Sequence, residues 1–453
     1  MSHWVLRFYA LLMWLAQPFL RRKLARRSLQ EPGYGEAIEE RFGRYTQPTE
    51  RTSELVWVHA VSLGETRTAA ILFKALRAGY PGLRLLLTHG TATGRAEGRA
   101  LLRPGDIQVW QPWDSRAAVN LFFTHFKPRV GLLMETEIWP LTVAVAKVNA
   151  VPLVLVNGRL SEKSLRQALR MSPLSYPAYG ALATVLAQTD DDARRFWQLG
   201  VAPAGVFGNL KFDATPDAQQ QATGKAWRGA LKRSVLLLAS SREGEEADFF
   251  KQISSLRQQN QGRGAMNSVA SVVKVLVVPR HPQRFDEVEA LAAQHGLSVS
   301  RRSSWTAGPL SSEEAMRADV WLGDSLGEMT LYYAMSDVAL LGGSFAPLGG
   351  QNLIEAAACA CPVVMGPHTF NFLEAAELAE AAGAALRVAN MQDGVQAALV
   401  LVNDAAAQGA AASAGLAFTD RNRGATAKTM AALAPFLRPK HARASEGESP
   451  RAS

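Results

Sequence analysis

The chain reads as an α/β protein with two doubly wound, parallel-sheet domains, and three observations carry that reading. Short apolar runs alternate with helix-period stretches from Leu55 to about residue 437. A polar, Gln/Ala-rich stretch, 214–230, divides the alternation into two series. Turns rich in glycine and charge close many of the runs, where open α/β sheets place their ligand crevice. With 453 residues, 48% of them hydrophobic, the chain can bury two domain-sized cores.

Taken in order, the first element is apolar from Trp4 to Leu20, at the short limit for a spanning helix, and carries Arg7. Five basic residues in seven follow, Arg21 to Arg27. Interfacial Trp and Tyr with flanking positive charge predict a membrane anchor over 1–27, spanning or lying in the interface, with the bulk of the protein on the cytoplasmic side. A cleaved signal peptide does not fit, because the heavy charge follows the apolar run and no A-x-A site appears.

The first domain is expected over 28–213. Its strands are LVWVHAV (55–61), LRLLLTHG (83–90), IQVWQPW (107–113), VGLLME (130–135), PLVLVNG (152–158) and ATVLAQ (183–188). After the linker, 214–230, a second domain over 231–437 carries SVLLLASS (234–241), KVLVVPRHP (274–282), DVWLGDS (319–325), DVALLGGS (337–344) and CPVVMGP (361–367). QQNQGRGAMNSVAS (258–271) reads as a loop insertion and 438–453 as a disordered tail.

A net charge of +9 suits an anionic partner. No basic-and-aromatic nucleic-acid module is present, which favours lipid or phosphate. The cysteines, Cys359 and Cys361, offer neither a disulfide framework nor good zinc spacing, and read as buried thiols.

The organising stretch is HAVSLGE (59–65), where a strand empties through Ser62 and Gly64 into a helix headed by Glu65. Glu65 lies at the crevice, although helix-dipole stabilisation alone also accounts for a carboxylate there. METEIWP (134–140) puts Glu135 and Glu137 at another strand end. NGRLS (157–161) offers Arg159, and GNLKFD (208–213) places Lys211 at the domain junction. In the second half, PRHP (279–282) supplies Arg280 and His281. GDSLGE (323–328) and GGS (342–344), with Ser325 and Ser344, are expected to turn N–H groups toward a phosphate, and GGQNLIE (349–355) sets Glu355 to meet a ribose diol. Asp190 to Asp192 contain a D-x-D, which N-cap and dipole roles explain without a metal. No Walker lysine or G-x-G-x-x-G fingerprint is present.

Together these motifs, with NLIE (352–355), resemble the 3-deoxy-D-manno-octulosonic acid (Kdo) transferases of lipopolysaccharide synthesis, in family order and up to about residue 435. The resemblance implies a GT-B fold, two Rossmann-like domains facing across a cleft, with an N-terminal anchor at the inner membrane. It implies an inverting, metal-independent transfer from CMP-Kdo to a lipid A precursor, with no cofactor, no nucleic-acid partner, and phospholipid beneath the anchor. By the same resemblance Glu65 is the general base, and Glu135 and Lys211 stabilise the transition state. Arg280, His281, Gly327, Glu328, Met329, Asn352, Leu353, Ile354 and Glu355 contact CMP. Ser62, Gly64, Arg159, Ser325 and Ser344 are further candidate contacts.

The residues support that chemistry independently. A sugar hydroxyl is a poor nucleophile and needs a positioned carboxylate to take its proton. Arg280, Lys211 and helix N–H groups suit a departing phosphate. Two readings from other classes stand beside it, a nucleotide-sugar epimerase and a non-catalytic membrane adaptor. The Trp4–Leu20 segment argues against the first, and carboxylates at two strand ends argue against the second.

Overall fold

A computed structural model of the chain describes residues 3–51, 54–261 and 273–438. These residues form two compact units, one of those up to 213 together with 423–438, the other of those from 214 to 422. Each unit is built on a seven-stranded sheet in which every pairing is parallel. Two Rossmann-like α/β domains are therefore present.

The first sheet has strands β1 (Leu55–His59), β2 (Arg84–His89), β3 (Ile107–Trp110), β4 (Val130–Met134), β5 (Leu153–Gly158), β6 (Thr184–Ala187) and β7 (Gly205–Val206). Their order is β3-β2-β1-β4-β5-β6-β7, so connections leave β1 and β4 in opposite directions. The unbroken apolar runs are explained by burial of both faces. Leu55 and Trp57 point into one core with Phe122, Phe123 and Phe126, while Val56 and Val58 point into the other with Leu72, Phe73 and Leu76.

The second sheet comprises β8 (Ser234–Ser241), β9 (Val273–Pro279), β10 (Val299–Arg301), β11 (Val320–Leu322), β12 (Val338–Leu341), β13 (Val363–Met365) and β14 (Ala385–Arg387). Its order is β10-β11-β9-β8-β12-β13-β14, with the reversal at β8 and β12. Strands β7, β10 and β14 have two or three residues each, too few to show a period in sequence.

Three expected boundaries are corrected. The helix Ala425–Leu437 belongs to the first unit, not the second. Its Leu433 and Leu437 complete the core behind β1, and Asp213 accepts hydrogen bonds from Gly424 N (2.6 Å) and Thr426 N (2.5 Å) at its start. An apolar helix face does not say in sequence which sheet it will cover. The expected linker is largely the helix Ala218–Ala230 of the second unit. Arg228 pairs with Asp337 at 2.6 Å and Gly224 packs against the backbone of Leu331, so its polar composition belongs to an outward face. The expected loop from 258 begins as helix, because Glu245–Gln261 runs on to 261. Residues 262–272 and 439–453 lie outside the described residues.

The spanning form of the expected anchor is corrected as well. His3–Gln30 is one 28-residue helix that runs through the basic cluster. Among the described residues no helix is long and apolar enough to cross a membrane, since Arg7 interrupts the apolar run and charge follows directly. The helix is also tied to its domain. Tyr9 hydrogen-bonds Asp114, Leu24 is buried with Tyr34, Phe42 and Trp110, and Arg21 stacks on Phe42 at 3.6 Å.

Candidate active site

Glu65 and Glu135 follow β1 and β4, the two strands between which the first sheet reverses direction. That is the topological switch point, where open α/β sheets bind ligands. Glu65 is the third residue of the helix Leu63–Gly79, whose N-cap is Ser62, and it is gripped by the turn before the helix. The Ser62 hydroxyl accepts from Glu65 N and donates to Glu65 Oε1 at 2.9 Å, while Val61 N donates to Oε2 at 2.8 Å. Burial pushes this carboxyl up to about 7, the charges of Glu135 and Glu137 push the same way, and the Val61 and Ser62 donors pull it back. A carboxylate poised there takes a proton near neutral pH. Gly64 is exposed at the turn beside it.

Glu135 sits in the left-handed region at φ 58°, a conformation that costs a non-glycine residue roughly 1 kcal/mol or more and concentrates at functional sites. Lys211 Nζ lies 3.2 Å from Glu135 Oε1, an ion pair with both side chains mostly buried. Arg159 N donates to the Glu135 carbonyl at 3.2 Å, which ties the backbone of this candidate to that of Glu135. Glu137 accepts from Trp139 Nε1 at 3.0 Å, and burial raises its carboxyl.

Sequence reading missed Asn157, which is buried with φ 55° and accepts the Leu210 N–H at 3.0 Å. It thereby sets the 3-10 turn Leu210–Asp213 that presents Lys211. The only signal was an asparagine before glycine at a strand end, which ordinary turns share. The cap of the helix Asp190–Gln198 is Thr189 and not an aspartate of the D-x-D, its hydroxyl accepting from Asp192 N at 3.0 Å, while Asp192 takes the Leu160 N–H at 2.7 Å and the Thr189 hydroxyl.

In the second unit Arg280 follows β9, with its N–H bonded to Ser241 O at 3.0 Å. His281 is held below the usual imidazole value by burial and by Arg242, with Arg280 and Arg284 also contributing. Gly327 has φ 80° and accepts from Gln220. Glu328 pairs with Arg302 at 3.0 Å and receives the Ser325 hydroxyl at 2.5 Å. Met329 Sδ meets Ser240 Oγ at 3.9 Å, which brings this turn to the switch strand β8. Asn352 caps the helix Leu353–Ala358 through Ile354 N and reaches Glu355 at 3.2 Å.

Some expected contacts change. The side chains of Leu353 and Ile354 are buried in the core, which leaves only their backbone for a ligand. Ser344 is fully buried, with its hydroxyl spent on Leu341 O and Gly366 N, and is not a substrate contact. In the 342–344 turn the N–H groups of Gly342 and Gly343 are not open to a phosphate either, Gly342 N being bonded to Ala239 O. Glu245, another residue missed in sequence, takes Gly343 N (2.7 Å), Phe345 N (3.0 Å) and Ala346 N (3.3 Å), together with Arg242 N. The available signal was Gly244–Glu245 after β8, which repeats Gly64–Glu65 after β1. One carboxylate is saturated by backbone donors and the other keeps lone pairs for chemistry. Glu245→Ala is expected to lower stability by roughly 3 kcal/mol, since several buried donors lose one charged acceptor. A urea midpoint equal to wild type would reject that clamp.

A family model described as 3-deoxy-D-manno-octulosonic-acid transferase matches residues 36–214. The chain is 47% identical over 388 residues to the 3-deoxy-D-manno-octulosonic acid transferase of Bordetella pertussis, covering 84% of this chain and 87% of that one. The chain belongs to the Kdo transferase family. This Kdo transferase is also 28% identical to the Haemophilus influenzae enzyme of the same description, over 95% of this chain and 98% of that one. Its fold is shared more widely. A glycosyltransferase from Rickettsia africae matches at 11% identity with TM-score 0.53, covering 86% of this Kdo transferase and 100% of that chain. A UDP-GlcNAc 2-epimerase from Neisseria meningitidis matches at 13% with TM-score 0.50, covering 84% and 99%. Transferase and epimerase share this architecture, so the family relationship, not the fold, identifies a glycosyltransferase.

Proposed function

We propose that the chain transfers Kdo from CMP-Kdo to a lipid A precursor, with Glu65 as general base. The observation that carries this reading is a carboxylate at the switch point of the first sheet, gripped in position and raised to about 7. An acceptor hydroxyl attacks the anomeric carbon of Kdo as its proton passes to Glu65. The bond from that carbon to the CMP phosphate oxygen breaks, CMP leaves with the electron pair, and the anomeric configuration inverts. The Lys211–Glu135 pair supplies a held cation for the charge developing in this step. Arg280 and His281 suit the phosphate, and Glu355 and the 327–329 turn suit the nucleoside. The test is mass spectrometry of a tetraacylated lipid A precursor incubated with CMP-Kdo and EDTA. Kdo mass increments support the reading and count the sugars added, and CMP binding without any increment overturns it.

The N-terminal helix is read as lying on the cytoplasmic face of the inner membrane. Trp4, Phe8, Leu11, Leu12, Leu15 and Phe19 recur at helical spacing and are all exposed, Trp4 by 80% and Phe19 by 71%. Such a stripe, followed by Arg21 to Arg27, matches an interfacial helix over anionic headgroups. Flotation with phosphatidylglycerol-containing vesicles is expected to carry the wild type, and a Trp4→Asp/Phe8→Asp variant is expected to lose at least tenfold in partitioning. Equal flotation would reject this placement.

A further inference from the structure

The Val61 N–H that grips Glu65 belongs to the peptide linking Ala60 to Val61. The carbonyl of that same peptide accepts a hydrogen bond from His89 Nδ1 at 2.9 Å. His89 ends β2 and is completely buried. A carbonyl can only accept, so Nδ1 carries the proton and the ring is the Nδ1–H tautomer. A donor on the carbonyl side of a peptide polarises its N–H, because successive hydrogen bonds through one amide reinforce each other. The sequence His89 Nδ1–H, Ala60 C=O, Val61 N–H, Glu65 Oε2 is thus one chain, with its terminal bond at 2.8 Å.

We propose that His89 is the positioning residue of Glu65, fixing through the Ala60–Val61 peptide the N–H that holds its carboxylate.

The surroundings look built for an imidazole here. A Cβ at Gly98 would stand 2.4 Å from His89 Nε2, so the helix Ala92–Ala100 has a glycine where the ring approaches. Thr66 Oγ1 lies 3.3 Å from Nδ1 and donates to Ser62 O, which ties the ring to the same turn. The charged and titratable groups facing this chain are Glu135 and Glu137 beside Glu65, Arg95 on the helix Ala92–Ala100, and His59 on β1. Burial, with Arg95 adding to it, lowers His89 to about 4, so the ring stays neutral across the working range. It therefore acts as a fixed donor and not as a second titrating base.

The inference rests on Glu65 as the base, and the test separates the two. The pH profile of kcat/KM for Kdo transfer is measured on the full chain, beside 13C NMR titration of the Glu carboxyl carbons, with the Glu65 signal assigned by Glu65→Gln. His89→Asn keeps a nitrogen donor at the position of Nδ1, whereas His89→Gln and His89→Leu do not. Expected is an upward shift of the Glu65 titration and of the acid limb by roughly half to one pH unit in the Gln and Leu variants. The Asn variant is expected to stay near wild type. An unshifted Glu65 signal in a folded Gln or Leu variant overturns the proposal, as does an Asn variant shifted as far as Leu. If Leu does not fold, the Asn and Gln pair decides alone. If the acid limb persists in Glu65→Gln, the base assignment fails, while the NMR titration still tests whether His89 acts on Glu65.

Discussion

Glu65→Gln is expected to lower turnover about a thousandfold while leaving CMP binding close to wild type. Glutamine keeps the grip on the turn, since its carbonyl oxygen can accept from Val61 N while its amide NH2 donates to the Ser62 hydroxyl, so the variant should fold. It cannot take the proton. In the wild-type enzyme kcat/KM should fall tenfold per pH unit below about 7, where Glu65 becomes protonated, and the variant should lose that limb. Stability should move the opposite way. A carboxyl raised in the folded state stabilises the protein below its unfolded value and loses that contribution as pH rises through about 7. Relative to wild type, Glu65→Gln should therefore gain in Tm between pH 5 and pH 8. Substantial transfer by the variant, measured by lipid mass spectrometry, would remove Glu65 from the base role.

The second large effect is expected at the Lys211–Glu135 pair. Lys211→Ala should reduce kcat by roughly a hundredfold or more, because a preorganised cation is lost from a partly buried site. The two partners should also move the acid limb in opposite directions. Removing Lys211 leaves the Glu135 charge uncompensated by that cation and makes ionisation of Glu65 harder, so the limb rises. Glu135→Gln removes one of the charges that raise Glu65, so the limb falls. Shifts of the same sign would reject electrostatic coupling between the pair and the base. A double-mutant cycle with Lys211→Ala and Glu135→Gln should be strongly non-additive, as the side chains lie 3.2 Å apart.

The motifs fall at strand ends because an open α/β sheet leaves little choice. Each apolar run must be buried on both faces, and the turn at its carboxyl end is the place left for polar chemistry. The places of Glu65 and Glu135 after β1 and β4 were legible on those grounds, and Lys211 was singled out beside them through the resemblance. Asn157, His89 and Glu245 were not. A buried asparagine, histidine or glutamate is spelled like an exposed one, and its role depends on which backbone donor or acceptor the fold brings opposite. Ser344 failed for the converse reason, since a serine in a glycine-rich turn looks available until the fold buries it against Gly366.

By itself the sequence determined two parallel α/β domains, the family, and a polar crevice at named strand ends, because these follow from local period and short motifs. Only the tertiary structure decided that β1 and β4 flank the reversal, that Ala425–Leu437 covers the first sheet, and that Glu245 closes a turn expected to bind phosphate. Those outcomes depend on strand order and on contacts between residues as much as 308 positions apart, such as Arg129 with Leu437. Local pattern carries no record of such contacts.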